Sequence, residues 1–293
     1  MSNERITVFT PAYNRAHTLP RTLDSLIKQK NKSFKWLIVD DGSTDNTKEL
    51  VDSWLNENYG FEIQYEYKEN GGMHTAHNTA YEHIDTELNI CIDSDDCLAD
   101  DAINKILNKW DSVKDKGYAG LIGLDYTLDN KLIGKDLGNL KETTLMDYYA
   151  NGGYGDKKLV YRTDIIKKYP KYPVFENERY VALAYIYRLI DQDYKLAVLN
   201  ECLCNVEYQE DGSSATMWKQ YLRNPKGFQF WRKICMTYPE SDKRLVMDTI
   251  HYVSSSLLAK DKTFISDSPK KVLTILCLLP GWVLSRMVIK RGK

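Results

Sequence analysis

The sequence lacks an excess of charge of either sign. Its 293 residues contain 40 Lys and Arg against 41 Asp and Glu, a formal net charge of −1. Proteins that bind nucleic acid cluster basic side chains against the phosphates, and no Arg- or Lys-rich arm is present here. We therefore expect no nucleic acid among the partners of this protein.

Paired cysteines are also missing. None of the six cysteines forms a Cys-x-x-Cys pair, the spacing typical of structural zinc sites. The first five residues are polar and lead directly into an apolar strand, unlike a secretory signal. We therefore expect no zinc and a reduced, cytoplasmic protein.

A long unbroken apolar run is absent, although the C-terminal end comes close to one. Residues 272–289 are mostly apolar, but Pro280-Gly281 interrupts them and basic residues flank both ends. Because that pair would break a spanning helix, the composition favours an amphipathic segment at the bilayer surface. We expect residues 270–293 to attach the protein peripherally to the inner face of the cell membrane. A terminal helix packed on the domain, or a homodimer contact, is the alternative.

Four apolar strands alternate with amphipathic helices over the first 110 residues. The predicted strands are Ile6 to Phe9, Phe34 to Val39, Phe61 to Tyr67 and Leu88 to Ile92. This alternation predicts an α/β fold with a mostly parallel, Rossmann-like sheet flanked by helices. Further strands are expected at residues 119–124, 159–161, 195–199 and 202–208, followed by a helical C-terminal tail.

A polar or glycine-containing loop follows each of the first four strands. These loops are residues 10–15, 40–45, 70–74 and 93–97. The carboxyl ends of parallel strands meet at one edge of the sheet, which is where open α/β sheets bind ligands. The sequence therefore predicts a binding site at this edge.

The last of these loops contains the acidic cluster Asp93-Ser94-Asp95-Asp96. Three carboxylates this close repel each other, and a hard divalent cation such as Mg²⁺ or Mn²⁺, shared with substrate phosphates, relieves that repulsion. An acidic turn that caps the helix beginning near Ala102 is the alternative.

Four motifs together resemble those of family 2 glycosyltransferases of the GT-A fold. They are ITVFTPAYNR at 6–15, IVDDGSTD at 38–45, Asn70-Gly71-Gly72 followed by Ala76 and Asn78, and the DxD-like DSDD at 93–96. The resemblance covers about the first 130 residues. Four motifs in the family's order favour the metal interpretation of the acidic cluster over the cap.

The resemblance implies an inverting, divalent-metal-dependent glycosyltransferase that uses Mn²⁺ or Mg²⁺. It would move a sugar from a UDP-sugar to the hydroxyl of a saccharide or lipid-linked saccharide in cell-surface polysaccharide biosynthesis. On this view residues 1–214 form the GT-A domain, with a nucleotide-sugar half (1–118) and an acceptor half (119–214). Residues 215–293 form the helical C-terminal region.

The resemblance also implies site residues. Those expected to bind the nucleotide sugar are Thr10, Ala12, Tyr13, Asp41, Asn70, Gly71, Gly72, His74, Asn78 and Ser94. Among them, Asp41 would accept the N–H of uracil and Tyr13 would stack near the base. Asp95 is the first metal ligand, joined by Asp93 or Asp96, while the other carboxylate holds the ribose or the donor sugar. Asp41 as a turn or cap, and His74 as a structural residue, are the alternatives.

The general base is expected in an acidic pair at the start of a helix. Glu178 is the first candidate and Glu176 the second, although the stretch Phe175-Glu-Asn-Glu178 departs from the family's usual Glu-Asp pair. Either carboxylate could instead favour a helix N-terminus electrostatically. Residues 211–214 could close over the diphosphate or form a plain turn.

Two other functions are alternatives to a glycosyltransferase. A sugar nucleotidyltransferase would carry a glycine-rich, basic phosphate loop after the first strand, whereas residues 10–15 contain no glycine. A non-catalytic nucleotide-sugar-binding protein would not need carboxylates packed as closely as those of residues 93–96, which are costly to keep without a cation.

Overall fold

A computed structural model describes residues 4–207 and 216–292. The chain forms two compact units. The first comprises residues 4–171 and 189–207, and the second comprises 172–188 and 216–292. Residues 172–188 thus group with the C-terminal helices, whereas the domain boundary near residue 214 stays a prediction. The proposed turn at 211–214 lies outside the described residues.

The first unit is built on one sheet, to which the described residues contribute nine strands. They are β1 (Ile6–Ala12), β2 (Phe34–Asp40), β3 (Ile63–Tyr67), β4 (Leu88–Cys91), β5 (Cys97–Leu98), β6 (Gly120–Thr127), β7 (Glu142–Thr143), β8 (Lys157–Arg162) and β9 (Leu196–Val206). Their order is β3-β2-β1-β4-β8-β6-β9-β5, and β7 pairs with β9.

The first four strands are parallel, as predicted, and the rest of the sheet is mixed. β8 runs antiparallel to both β4 and β6, while β9 is parallel to β6. The stretches predicted as strands at 195–199 and 202–208 are strand over residues 196–206, but they form the single strand β9 rather than two, with shifts in its register with β6. The α/β fold itself is confirmed.

Helices accompany the sheet and make up most of the second unit. They are α1 (Leu19–Ile27), α2 (Thr47–Asp52), α3 (Met73–His83), α4 (Ala102–Asp111), α5 (Leu145–Ala150), α6 (Thr163–Ile166), α7 (Ala184–Asp193), α8 (Met217–Arg223), α9 (Pro225–Thr237), α10 (Asp242–Leu258), α11 (Lys271–Leu276) and α12 (Leu278–Arg291). Within the parts of the chain that the structure describes, none of these helices has the length and apolar character needed to cross a bilayer.

β1 and β2 are buried on both faces. Val8 and Trp36 belong to a core cluster that includes side chains of α1, α2 and α4. Phe9 and Leu37, one position further along each strand, belong to a second cluster with side chains of α3. Adjacent residues of a strand point to opposite faces, so a strand covered on both sides reads as a continuous apolar run. This two-sided packing fixes the strand ends from which the polar loops emerge.

Candidate active site

The register of the parallel strands brings four loops to one edge of the sheet. Ala12 at the end of β1 pairs with Asp40 of β2, and Asp40 pairs with Tyr67 of β3. Phe9 pairs with Cys91, the last residue of β4. Because β2 and β4 flank β1, the two strands lie about 10 Å apart across the sheet, two strand spacings, and β2 extends three residues further along β1 than β4 does. A nucleoside diphosphate can bridge that distance.

Asn14 fastens the loop after β1 to the loop after β2. Its Oδ1 accepts the backbone N–H groups of Thr44 (2.8 Å) and Asp45 (3.3 Å), and its own N–H donates to Ser43 Oγ (2.8 Å). Asp45 Oδ2 in turn accepts the N–H of Ala16 at 3.2 Å. Sequence reasoning assigned no role to Asn14 or Asp45. Asn and Asp favour turns and the left-handed backbone conformation, which Asn14 adopts with φ 54°. This preference is the sequence signal that could have identified both residues as loop contacts.

Asp41 fastens the loop after β2 to the loop after β3. Its buried carboxylate accepts the N–H of Gly71 on Oδ1 (2.9 Å) and that of Gly72 on Oδ2 (2.7 Å). Lys68 Nζ lies 2.5 Å from Oδ1, and Thr75 Oγ1 lies 3.5 Å from the same atom. Oδ1 is therefore crowded with donors, whereas Oδ2 accepts one hydrogen bond from the described residues and has capacity for another.

We call this contact between the loops after β2 and β3 the Asp41 junction, and glycines make it possible. Gly42 has φ +79°, and a Cβ atom there would lie 2.6 Å from the backbone nitrogen of Asn70. Gly72 has φ +95° where it leads into α3. Only glycine adopts these angles without strain, so the two glycines let the loops approach closely enough for Asp41 to reach across.

The three residues expected at the end of β1 differ in accessibility. The Tyr13 side chain is 43 % exposed, so its ring is available to stack on a base. Ala12 is buried. Thr10 is 0 % exposed, and its Oγ1 accepts the indole N–H of Trp36 at 2.9 Å. The side chain of Thr10 is thus part of the core, and its expected role in binding the nucleotide sugar stays a prediction.

His74 and Asn78 lie on α3, behind the glycine turn. His74 is 1 % exposed, and burial lowers the pKa of its ring to about 4. The ring is therefore neutral at pH 7 and brings no positive charge to a diphosphate. Asn78 and Asn70 are half-buried.

The acidic loop alternates between outward and inward side chains. Asp93 and Asp95 are partly exposed, whereas Ser94 and Asp96 are buried. Asp96 Oδ1 accepts the backbone N–H of Glu207 at 3.2 Å, and Oδ2 lies 3.8 Å from the thiol of Cys204. Asp96 thus ties the loop to the end of β9, and the two carboxylates that face outward are Asp93 and Asp95.

The carbonyl groups of the loop are held from α1. Thr22 Oγ1 donates to the carbonyl oxygen of Asp96 at 2.9 Å, and the guanidinium of Arg21 donates to that of Asp95. Arg21 also pairs with Glu207 at 2.7 Å. The backbone of the acidic loop is therefore fixed before any ligand arrives.

A buried ion pair stands behind the loop. Lys158 Nζ on β8 lies 3.8 Å from Asp125 Oδ1 on β6 and 3.5 Å from the carbonyl oxygen of Cys91. Burial opposes the charged form of Lys158, but Asp125 and the neighbouring acidic groups outweigh it and raise its pKa. Lys158 is therefore an internal cation that partly balances the acidic loop. Sequence reasoning missed it because Asp125 lies 33 residues and Cys91 lies 67 residues away along the chain.

Burial and crowding disfavour the charged form of both the inward carboxylate Asp96 and the outward carboxylate Asp95. Burial, together with the negative charges of Asp93 and Asp95 and against the opposing charge of Lys158, raises the pKa of Asp96 to about 7. Burial and then Asp93 also raise the pKa of Asp95. Neighbouring negative charge contributes to both shifts, so a cation bound at the outward edge would favour the charged carboxylates.

The described residues contain no group of three or more His, Cys, Asp or Glu side chains placed to hold a metal ion. Asp93 and Asp95 fit a different kind of site, in which Mg²⁺ keeps several waters and is held by one or two carboxylates together with substrate phosphates. The donor set is all oxygen, as such a cation prefers.

The acidic pair proposed as general base lies in the second unit. Glu178 Oε1 accepts the N–H of Lys226 (3.0 Å) and Oε2 that of Gly227 (2.8 Å), the second and third residues of α9. Glu178 therefore caps the N-terminus of α9. The expected helix start next to the acidic pair is wrong, because α7 begins only at Ala184. Glu176 is exposed.

Substitution of Gly42 tests the loop junction. Gly42→Ala should lower the free energy of unfolding by about 2–4 kcal/mol, because it adds a backbone clash to the strain of a positive φ. Gly117→Ala is the matched control, since Gly117 has φ +77° and no atom within 4 Å of its Cβ position. It should lose only about 1 kcal/mol. Urea unfolding measures both, and equal losses would contradict the junction.

The fold resembles those of solved glycosyltransferases. S. aureus TarS (residues 1–349), solved in complex with UDP-GlcNAc, superposes with a TM-score of 0.62 and 16 % identity over 94 % of this chain and 79 % of that chain. A mannosyltransferase from Pyrobaculum calidifontis, in complex with GDP-Man and Mn²⁺, superposes with a TM-score of 0.55 and 14 % identity over 96 % of this chain and 87 % of that one.

Sequence comparison adds relatives and a family. The chain is 33 % identical over 109 residues to a teichoic acid poly(glycerol phosphate) polymerase of Staphylococcus epidermidis, a stretch that covers 37 % of this chain and 15 % of the relative. It is 34 % identical over 114 residues to chondroitin synthase of Pasteurella multocida, covering 39 % of this chain and 11 % of the relative. The matched stretches are thus a small part of these long relatives. The profile of glycosyl transferase family 2 matches residues 7–169, more than half of the chain. The chain therefore belongs to glycosyl transferase family 2 and is a glycosyltransferase of the GT-A fold.

Proposed function

We propose that this protein is an inverting, divalent-metal-dependent glycosyltransferase that moves a sugar from a UDP-sugar to a hydroxyl of a saccharide acceptor. The observation that carries the proposal is the pair of outward carboxylates, Asp93 and Asp95, on the same sheet edge as the Asp41 junction. These two features lie on loops that follow β4 and β2. A nucleotide would occupy the space between them, with its base towards Asp41 and its diphosphate towards the acidic loop.

Asp41 suits the uracil base. Its Oδ2 has capacity for one more donor, and the ring N–H of uracil supplies one. Tyr13 offers an exposed ring to stack on the base, and the glycine turn lets the backbone of residues 70–72 approach the nucleotide. TarS binds UDP-GlcNAc and UDP in its solved complexes, which supports a UDP-sugar as the donor here.

Asp95 and Asp93 would hold the divalent cation, and Asp96 would keep the loop in place. When bound, Mn²⁺ or Mg²⁺ neutralises the negative charge that develops on the leaving diphosphate. Arg21 and Thr22 hold the carbonyl groups of the loop, and Lys158 balances its inner side. The residues of the chain therefore position two carboxylates in advance, which lowers the reorganisation that donor binding requires.

Inversion requires a base that removes the proton of the acceptor hydroxyl on the face opposite the leaving group. Both oxygens of Glu178 are engaged at the N-terminus of α9, so we assign Glu178 to stabilise that helix. Glu176 is exposed, and we retain it as the candidate base.

We propose further that the acceptor is a lipid-linked saccharide in cell-surface polysaccharide biosynthesis, and that the protein associates peripherally with the inner face of the membrane. Polymer synthases among the relatives support this role, since a teichoic acid polymerase and a chondroitin synthase share the matched region. The C-terminal helices supply the surface for membrane association.

The donor proposal predicts metal-dependent turnover. Incubation with a panel of UDP-sugars and Mn²⁺ should release UDP with at least one donor, and EDTA should abolish the release. Asp95→Asn should lower kcat by about 100-fold or more, because it removes charge where the diphosphate develops its own.

Asp100→Asn is the control for Asp95→Asn. Asp100 is an exposed carboxylate five residues further along the chain, so its loss should leave kcat within about twofold of the parent, as expected for a surface charge. Turnover that survives both EDTA and Asp95→Asn would contradict the metal proposal. Silence with all donors would contradict the UDP-sugar assignment.

Substitutions of the two glutamates should affect different quantities, kcat for Glu176 and stability for Glu178. Glu176→Gln should lower kcat for transfer by about 100-fold or more with unchanged donor affinity, since a base is lost. Glu178→Gln should lower the free energy of unfolding by about 1 kcal/mol, the usual scale of a helix cap, with kcat nearly unchanged. The reverse result, a stable Glu178→Gln protein that does not transfer sugar, would make Glu178 the base.

A further inference from the structure

The two C-terminal helices carry small side chains inside and large apolar side chains outside. From α11 into α12, the buried positions recur at helical spacing and are Thr274, Cys277, Gly281, Ser285 and Val288. A helix on the surface of a globular protein ordinarily buries its apolar stripe and exposes polar residues. Most of this buried stripe is small or polar, although the half-buried Leu273 and Leu278 also pack against the apolar core of the second unit.

The outer face is correspondingly apolar. Its exposed large side chains are Val272, Ile275, Leu276, Leu279, Trp282, Val283 and Met287. Val272, Leu276 and Leu279 are 74 %, 72 % and 70 % exposed. Single exposed apolar residues are ordinary, but a contiguous apolar face marks a surface that meets a partner. We use the term outer face for these exposed apolar side chains of residues 272–287.

Packing against α10 fixes this orientation. A Cβ atom at Gly281 would lie 2.5 Å from Val253 Cβ and 3.1 Å from the carbonyl oxygen of Ile250, so α12 and α10 approach closely at the glycine. Thr274 Oγ1 bonds the hydroxyl of Ser268 at 2.7 Å, and Ser285 Oγ donates to the carbonyl oxygen of Trp282. The small residues are thus the ones that fit against α10, and a rotation that buried the outer face would bring large side chains into that contact.

The charged side chains of this C-terminal segment, residues 270–291, are all basic. Lys270 and Lys271 precede it, Arg286 lies within it, and Lys290 and Arg291 follow it, while the sequence contains no Asp or Glu after Asp267. The Arg286 guanidinium lies 5.4 Å from the centre of the Trp282 ring. Apolar side chains with Trp and a basic border match the interfacial region of a membrane that contains anionic lipids.

The dimensions fit a helix that lies in the interface. The 14 residues of α12 extend about 21 Å, less than the roughly 30 Å of the hydrocarbon core. A second copy of the chain is the competing occupant. A symmetric pairing of the outer face would bring two all-basic borders together without a carboxylate from this segment to balance them, which is unfavourable.

We propose that the outer face docks onto an anionic lipid bilayer, with Leu276, Leu279 and Val283 inserted at the boundary between headgroups and acyl chains. The basic border contacts the lipid phosphates. This assignment gives the proposed membrane association a defined surface. It rests on the proposed function in one respect, which is that a lipid-linked acceptor gives the protein a reason to bind the membrane.

Vesicle co-sedimentation of the full chain tests the proposal. Binding should be strong to phosphatidylcholine vesicles that contain phosphatidylglycerol and at least tenfold weaker to phosphatidylcholine alone. Raising NaCl from 0.1 to 1 M shortens the screening length from about 10 to about 3 Å and should weaken binding to the anionic vesicles. The double variant Leu276→Glu/Leu279→Glu should reduce binding by at least tenfold, because it removes the inserted side chains.

A matched double variant controls for general effects of added charge. Leu128 and Leu140 are 45 % and 49 % exposed in the first unit, and Leu128→Glu/Leu140→Glu should bind vesicles like the parent. Circular dichroism and UDP release should be the same in all three proteins, so a failure of the donor proposal would appear in UDP release and leave the vesicle result intact.

Two results would overturn the proposal. One is equal vesicle binding by the parent and by Leu276→Glu/Leu279→Glu. The other is absence of vesicle binding together with a dimer in sedimentation equilibrium that this variant dissociates, which would assign the outer face to a second copy of the chain.

Discussion

The charge of the acidic loop is the constraint on which the candidate site depends. Three carboxylates within four residues can share one turn because they do not share one environment. Asp96 points inward and accepts the backbone N–H of Glu207, the residue after β9, with Lys158 as the internal cation nearby. This leaves Asp93 and Asp95 facing outward. A buried cation is costly unless it is paired, so the Lys158–Asp125 pair belongs to the same balance. The chain thus partly balances the charge on the inner side of the loop itself and leaves the outer side for a ligand.

A second carboxylate organises the nucleotide end of the same edge. Asp41 joins the loops after β2 and β3 through the N–H groups of Gly71 and Gly72, and the close approach at Gly42 makes that reach possible. The Asp41 junction and the acidic loop are both held by hydrogen bonds within the first unit. Loops that are already held in place favour donor binding, because binding then loses less conformational entropy.

Much of the first half of the fold could be predicted from apolar periodicity, and the site edge could be predicted from the loop that ends each parallel strand. The roles of individual residues depended on partners far along the chain. Thr10 is in a binding motif but bonds Trp36, and Glu178 is in an acidic pair but caps a helix that begins at Pro225. Lys158 has no local signal at all. The C-terminal segment was recognised by composition, whereas its outward apolar face follows only from the packing of small residues on α10.

The most direct test of the account is the position of the metal in a complex with Mn²⁺ and UDP. Anomalous scattering from crystals of that complex should place one Mn²⁺ ion within coordination distance of Asp95, Asp93 or both, with the remaining ligands from the diphosphate and water. Asp96 should keep its bond to the N–H of Glu207. An ion coordinated by Asp96, or UDP bound at this edge with no metal peak, would contradict the division of the acidic loop into an inward anchor and an outward ligand pair.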